Sequence, residues 1–297
     1  MTKRILFQLD SDPHICSFDS VVAIDSDIDH LVPVANVQPA NVESLVHGTM
    51  FTRGGDDLKE TAIFIGGSDV SIAEELLRGV TDTFFGPVRV SVMMDANGCN
   101  TTAAAAVVCA GRHLNLASAN AVVLGGTGPV GQRVARLLAG DGAAVTLTSR
   151  SVDRARLVCE RISQQLDGID QAGELTPAAA DSDEAIERIL SDAQVVIACG
   201  AAGVQLASKA NLSNASKLSV AIDLNAVPPA GIEGIEAFDK AKAIEGGSDD
   251  AVGYGAIGVG GLKMKTHKAA IRSLFESNDK VLNATEIYAL AKNVDAS

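Results

Sequence analysis

Gly126, Gly128 and Gly131 stand in the spacing G-x-G-x-x-G inside the string AVVLGGTGPVG. That spacing serves phosphate chemistry. The first glycine allows a tight turn, the second lets the backbone come up to a pyrophosphate, and the third lets the following helix pack closely on the strand. Thr127, Pro129 and Val130 complete the turn. Pro129 falls at an early helical position whose N–H would lack a partner anyway, so the helix beyond it can aim its free N–H groups at an anion. The next apolar run ends in Thr148-Ser149-Arg150, where an NAD site usually carries a carboxylate for the ribose 2′-hydroxyl. Arg150 can fork to or stack on a 2′-phosphate and Ser149 can donate a hydroxyl, while Arg154 lies one turn into the next helix, so these residues favour NADP. A solvated helix face remains the alternative for Arg154 and is preferred for Arg156. Gly200, opening Gly200-Ala201-Ala202-Gly203, makes a second small-residue turn at a strand's C-terminal edge, where open α/β sheets place their ligands.

Lys263 and His267 form the best cluster for holding a substrate. At i and i+4 they share one helix face, just after a glycine-rich stretch that lets a ligand approach, and Lys265 and Lys268 point elsewhere. A charged helix start on the surface fits the same spacing. In Asp95-Ala96-Asn97-Gly98-Cys99-Asn100-Thr101-Thr102, Asn100 or Thr101 can cap the following helix and leave Thr102 or Asn97 to face a cleft, although capping alone also explains the run. Phe18 is one of few aromatics and could stack on a planar ring or simply join the core. No nucleophile elbow, metal cluster or obvious carboxylate dyad is visible. Hydride transfer fits such a chain, because the cofactor carries the reactive chemistry and the protein supplies positioning and electrostatics.

Composition narrows the classes. A formal charge of −13 argues against nucleic acid as a partner. No apolar run is long enough to span a bilayer, and MTKRILFQLD lacks a signal peptide's apolar region and cleavage site, which predicts a cytoplasmic protein. Cys16, Cys99, Cys109, Cys159 and Cys199 form no C-x-x-C pair, and the five histidines show no metal-site spacing with them, so no metal is expected.

The elements that must position these residues read as α/β throughout. Strands are predicted at Arg4 to Leu9, Val21 to Ile24, Ala62 to Ile65 and Val88 to Met94, with helices between them. One of these helices opens with a Ser71/Glu74 capping-box spacing, and an alanine-rich helix runs to about Arg112. Beyond the glycine turn come a helix to about Ala139, a strand at Ala143 to Thr148 and helices near 152–166 and 182–190. Strands follow at Gln194 to Cys199 and Leu218 to Leu224, and two last helices near 264–276 and 283–293 are expected to cross back onto the first domain. With 297 residues, 47% of them apolar, and a nucleotide-binding strand that starts only near residue 120, two domains fit better than one. The predicted division is 1–115 plus 265–297 for substrate and oligomerisation, and 116–264 as a Rossmann-type NADP-binding domain.

DANGCNTTAAAA, VLGGTGPVG, DLNAVPP, GVGGLKMKTHK and the opening RILFQLDSD together resemble the bacterial NAD(P)-dependent methylene-tetrahydromethanopterin dehydrogenases over nearly the whole chain. The resemblance implies two α/β domains with a pterin in the cleft between them, a homotrimer, and active-site roles for Phe18, Thr102, Lys263 and His267. The implied reaction is oxidation of the methylene-pterin to its methenyl form, with hydride passing to NADP. Two positions depart from the family pattern. Ser151 replaces a basic residue, which leaves room for NAD, and Cys99 replaces a small hydroxyl residue. A methylene-tetrahydrofolate dehydrogenase or a shikimate-type NADP dehydrogenase is the neighbouring alternative, and a non-catalytic NADP(H) sensor is the alternative of another class.

Overall fold

A computed structural model describes residues 2–297. In chain order the elements are β1 (Ile5–Asp10), α1 (Ser17–Ile24), β2 (His30–Val34), α2 (Val42–Met50), β3 (Thr61–Gly66), α3 (Val70–Thr83), β4 (Ser91–Met94) and α4 (Cys99–Gly111). Then follow β5 (Asn120–Leu124), α5 (Pro129–Gly140), β6 (Ala144–Ser149), α6 (Val152–Leu166), β7 (Leu175–Ala179), α7 (Asp183–Leu190), β8 (Val195–Ala198), α8 (Lys209–Ser213) and β9 (Val220–Asp223). The chain finishes with β10 (Lys240–Ala243), β11 (Val252–Tyr254), α9 (Ala256–Ser273), β12 (Val281–Leu282) and α10 (Ala284–Ala296). It divides into two units, one of residues 1–101 and 263–297 and one of residues 102–262, and both divisions fall inside helices, α4 and α9.

The first unit is a five-stranded parallel sheet in the order β12-β4-β3-β1-β2. Successive parallel strands need a crossover between them, and this accounts for one departure from the sequence reading. Val21 to Ile24 is not a strand but the end of α1, the crossover from β1 to β2. Val22 and Ala23 face inward while Phe18, Val21 and Ile24 face out, a spacing that four apolar residues in isolation could not reveal. The strand itself comes later, as β2 (HLVPV), and its Pro33 is tolerated because β2 lies at the sheet edge. The chain leaves β1 toward β2 and returns on the other side through β3, so the strand order reverses between β1 and β3, whose last residues Asp10 and Gly66 are register partners.

The second unit is a seven-stranded sheet in the order β10-β11-β9-β8-β5-β6-β7, parallel except for the antiparallel β10–β11 pair. Here the order reverses between β5 and β8, the doubly wound arrangement in which ligands bind outside the strand ends. A core of Val122, Leu124, Val196, Ala198, Leu212 and Ile232 underlies it.

Two further readings are corrected by local chemistry. The cap of α3 is Asp69, whose carboxyl accepts from the N–H groups of Ser71 (2.8 Å) and Ile72 (3.2 Å), and not Ser71. The last long helix begins at Ala256, eight residues before the expected start, so the glycine-rich stretch is its first turns, and Gly258 there serves close packing. A Cβ on Gly258 would stand 1.8 Å from the Asp239 carbonyl oxygen. No helix among the described residues is long and apolar enough to cross a membrane.

Candidate active site

The nucleotide signature forms a groove of about 580 Å3 in the second unit, within the size range of cofactor clefts. It opens at the C-terminal ends of β5, β6 and β8, and Gly125, Gly128, Thr148, Arg150 and Gly200 contribute to its wall. The left-handed turn residue is Gly125 (φ +67°), one position before the motif glycine expected to make it. Gly125 is also held close: its N–H donates to the Thr148 hydroxyl (3.2 Å), and a Cβ there would stand 2.9 Å from the Gly200 Cα. Gly126 and Gly131 instead pack against Leu147 and against each other. Gly128 is different. It has an ordinary φ of −77° and is the N-cap of α5, and a Cβ placed on it would meet nothing closer than 4.0 Å. Its missing side chain therefore leaves space on the groove side at a helix N-terminus, where a pyrophosphate is favoured. Pro129 is the first residue of α5, as read from the sequence, and Thr127 lines the groove with it.

At the end of β6, Ser149 is half-buried and Arg150 exposed, and both line the groove with Arg154. Arg156 is tied at 2.8 Å to Asp153 on the outer face of α6, which settles it as a solvent-facing ion pair. Ser151, the departure from the family pattern, is the N-cap of α6, and its hydroxyl accepts from the Arg154 N–H. Val130 lies in the first turn of α5 and does not line the groove. These residues fit a dinucleotide: a backbone cradle for the pyrophosphate, with two guanidiniums and a hydroxyl where a 2′-phosphate would sit.

The substrate candidates divide between the units. In the first unit, the Lys263 ammonium lies 5.5 Å from the centre of the Phe18 ring, so two residues 245 positions apart meet as a cation–π pair. Phe18 is half-exposed and Lys263 partly buried. Farther along the two helices, Lys268 pairs with Asp25 (2.8 Å) and Arg272 with Asp27 (2.6 Å), holding α9 alongside α1. His267 shares the Lys263 face, as the spacing predicts, but it is not at a helix start and is not on the surface. It is completely buried, tilted against Phe64 with ring centres 5.4 Å apart, and neither ring nitrogen has a hydrogen-bond partner. Its Nδ1 lies 3.8 Å from a carboxyl oxygen of Asp95. Burial pushes the imidazole pKa down and Lys263 adds to this, while Asp95 opposes it, so the ring is held neutral.

The cap of α4 is neither Asn100 nor Thr101. Asp95 takes that role, accepting the N–H groups of Asn100 (2.8 Å) and Thr101 (3.0 Å) on one oxygen and the Thr101 hydroxyl (2.6 Å) on the other. Thr102, the first residue of the second unit, is half-buried, one position beyond Thr101 whose N–H Asp95 takes.

The sequence reading passed over a group of carboxyls. Asp10 ends β1 and accepts from the N–H groups of Asp12 and Cys16; Asp95 follows β4; and Asp19 sits in the first turn of α1. All three are buried. Asp19 and Asp10 converge above Gly66, where a Cβ would meet their carboxyl oxygens at 3.3 and 3.7 Å. Burial raises the Asp19 pKa to about 6, the Asp95 and Asp10 carboxyls add to it, and a hydrogen bond from Cys16 and the charge of Lys263 pull it back. The available signal was positional: an Asp at the end of a predicted strand, and a second just after the aromatic already singled out.

A family model described as methylene-tetrahydromethanopterin dehydrogenase, N-terminal, matches residues 17–97. The chain is 43% identical over 296 residues to a "Bifunctional protein MdtA" of Methylorubrum extorquens, covering 99% of this chain and all of that one. It is 31% identical over 303 residues to an "NAD(P)-dependent methylenetetrahydromethanopterin dehydrogenase" of the same organism, covering 99% of each. Among solved structures, a shikimate 5-dehydrogenase from Listeria monocytogenes in complex with shikimate and NAD shares the fold, with a TM-score of 0.55 at 10% identity over 97% of this chain and 96% of that one.

Proposed function

Because the chain belongs to the NAD(P)-dependent methylene-tetrahydromethanopterin dehydrogenase family, we propose that it oxidises methylene-tetrahydromethanopterin to the methenyl form with NADP as hydride acceptor. The observation that carries this reading is the groove at the β5/β8 reversal, with the open Gly128 at a helix N-terminus and Arg150 and Ser149 at the end of β6. It occurs in a chain aligned end to end with a relative named for this reaction.

In the methylene-pterin the one-carbon unit bridges two nitrogens, and loss of its hydride leaves a cation delocalised over N–C–N. No strong base is needed. Bound NADP supplies the acceptor carbon, and everything else falls to the protein's own side chains. Phe18 offers a ring face to the planar pterin, Thr102 a hydroxyl to its hydrogen-bonding edge, and Lys263 a donor that fixes orientation. His267, sealed behind Lys263, acts by packing and not by contact. In the same reading the protein is a cytoplasmic homotrimer that uses NAD less well than NADP.

The test is the rise in near-ultraviolet absorbance of reduced nicotinamide when purified protein is mixed with methylene-tetrahydromethanopterin and NADP, with methylene-tetrahydrofolate and NAD as parallel arms. Turnover only with the folate would replace the substrate assignment. Binding of NADPH without turnover of either pterin would replace the enzyme with a sensor. Light scattering on the eluted protein reads the trimer.

A further inference from the structure

In a site that accepts a cation-forming reaction, a lone Lys263 ammonium is electrostatically misplaced: it would repel the N–C–N cation as it forms. The first unit resolves this with its buried carboxyls. Around Asp19 stand Asp10 from the end of β1, Asp95 from the turn after β4, Cys16 from the segment before α1 and Lys263 from α9. Beneath it lie Gly66 and Phe64 of β3, neither of them titratable, and His267 is 3.8 Å from Asp95. Of the three carboxyls, Asp19 is the one that feels the Lys263 charge, and the ring of its neighbour Phe18 lies 5.5 Å from that ammonium. Asp10 and Asp95 already carry out local tasks, accepting backbone N–H groups. Asp19 is 94% buried at the C-terminal edge of the sheet, beside the strand-order reversal, and directly follows Phe18 in sequence.

We propose that Asp19 is a positioning residue for hydride transfer, holding the Lys263 ammonium beside the Phe18 ring and supplying the negative charge that offsets it where the methenyl cation forms. This rests on the pterin reading of the site. The hydride leaves the bridging carbon with its electron pair and reduces the nicotinamide, the carbon becomes the cation, and Asp19 neither gains nor loses a proton in the step. Its contribution is a fixed charge in a dry site, worth more there than in water. The proposal requires the ionised form, and a carboxyl that titrates near 6 sets an acid limit on the rate.

The experiment compares full-length parent, Asp19→Asn, Asp19→Glu, Lys263→Ala and Asp19→Asn/Lys263→Ala, with methylene-tetrahydromethanopterin and NADP between about pH 5 and pH 9. The parental kcat is expected to fall on the acid side of about pH 6. Asp19→Asn should lose at least about tenfold in kcat on the alkaline plateau, keep its KM for NADP and lose the acid limb, while Asp19→Glu retains the limb and stays within about threefold of the parent. The double variant should be no slower than Lys263→Ala. Because a buried carboxyl is costly to ionise, Asp19→Asn should also melt above the parent at about pH 8 and equal to it at about pH 4, a change opposite to the loss expected of a structural partner.

An Asp19→Asn enzyme as fast as the parent, one that keeps the acid limb, or additive losses in the double variant would each overturn the proposal while leaving the pterin reading intact. If Asp19→Asn fails to fold, loss of the limb in Asp19→Glu overturns it and retention supports it. A parent without activity toward the methylene-pterin overturns both together.

Discussion

The two units solve the same topological problem with opposite charges. Each is a wholly or largely parallel sheet whose strand order reverses beside its first strand, between β1 and β3 in one and between β5 and β8 in the other. Each gathers its candidate site residues at the C-terminal ends of those strands, where open α/β sheets place ligands. In the second unit the ends carry glycines, a helix N-terminus and the guanidiniums of Arg150 and Arg154, a setting for phosphate. In the first they carry Asp10, Gly66 and Asp95, with Asp19 lowered over them and one ammonium admitted. Topology marks the place in both; the residues at the strand ends decide which sign of charge is welcome.

The largest break in this contrast is a side chain on Gly128. Gly128→Val leaves the backbone angle allowed and the core untouched, yet it fills the open space at the α5 N-terminus. NADPH binding, read by nucleotide fluorescence, should weaken by about a hundredfold or more while the melting temperature holds. Undiminished binding would move the nucleotide elsewhere. Next is Arg150→Ala, which removes a charge-assisted contact worth roughly 1.5–3 kcal/mol, about ten- to a hundredfold in affinity. The loss should fall on NADP alone, and equal losses with NAD would remove Arg150 from 2′-phosphate recognition. Lys263→Ala should then act on the other unit only. We expect kcat/KM for the methylene-pterin to drop at least about tenfold, an effect of about 1.4 kcal/mol, with NADP affinity within a few-fold of the parent. A variant that mainly loses NADP affinity would erase the division of labour.

How much of this was legible in the chain follows the same divide. Phosphate recognition is largely a local matter of spacing, so the glycine turn, its flanking strands and Arg150 could be read within about thirty consecutive residues. Even there the turn glycine was displaced by one, because the motif names residues and only φ separates Gly125 from Gly126. The first unit's site is assembled from β1, α1, the turn after β4 and α9, and no spacing in sequence brings Phe18 to Lys263 or Asp10 to Asp19. The Lys263/His267 face was visible as an i, i+4 pair, but periodicity does not report depth, and it gave no hint that His267 is sealed under its neighbours. Thr102 was read as a residue left over by a cap at Asn100 or Thr101, but the cap is Asp95, which lies before the helix and takes the N–H groups of both. The short strands β2, β7, β10 and β12 went unread because edge strands of two to five residues carry too little pattern.

The smallest expected effect is on stability, and it separates two of the buried titratable groups of the first unit, His267 and Asp19, by sign. The His267 pKa is pushed below the ordinary 6.5 by burial, so as pH falls past that value the unfolded chain takes up a proton that the folded one refuses, and stability declines. Asp19 has the opposite slope: its folded pKa near 6 lies above the ordinary 3.8, the folded chain holds the extra proton between those values, and stability declines as pH rises through them. Melting curves of parent, His267→Gln and Asp19→Asn across about pH 4 to 8 should therefore resolve two contributions running in opposite directions. His267→Gln should start from a lower melting temperature at neutral pH, since it exchanges a packed ring for an amide, but lose less on acidification than the parent. The difference should be a few degrees, given roughly 2–4 °C per kcal/mol in mid-sized proteins. If the parent and His267→Gln lose stability in parallel below about pH 6.5, the imidazole is charged or solvated in the folded protein, and the dry wall behind Lys263 is not there.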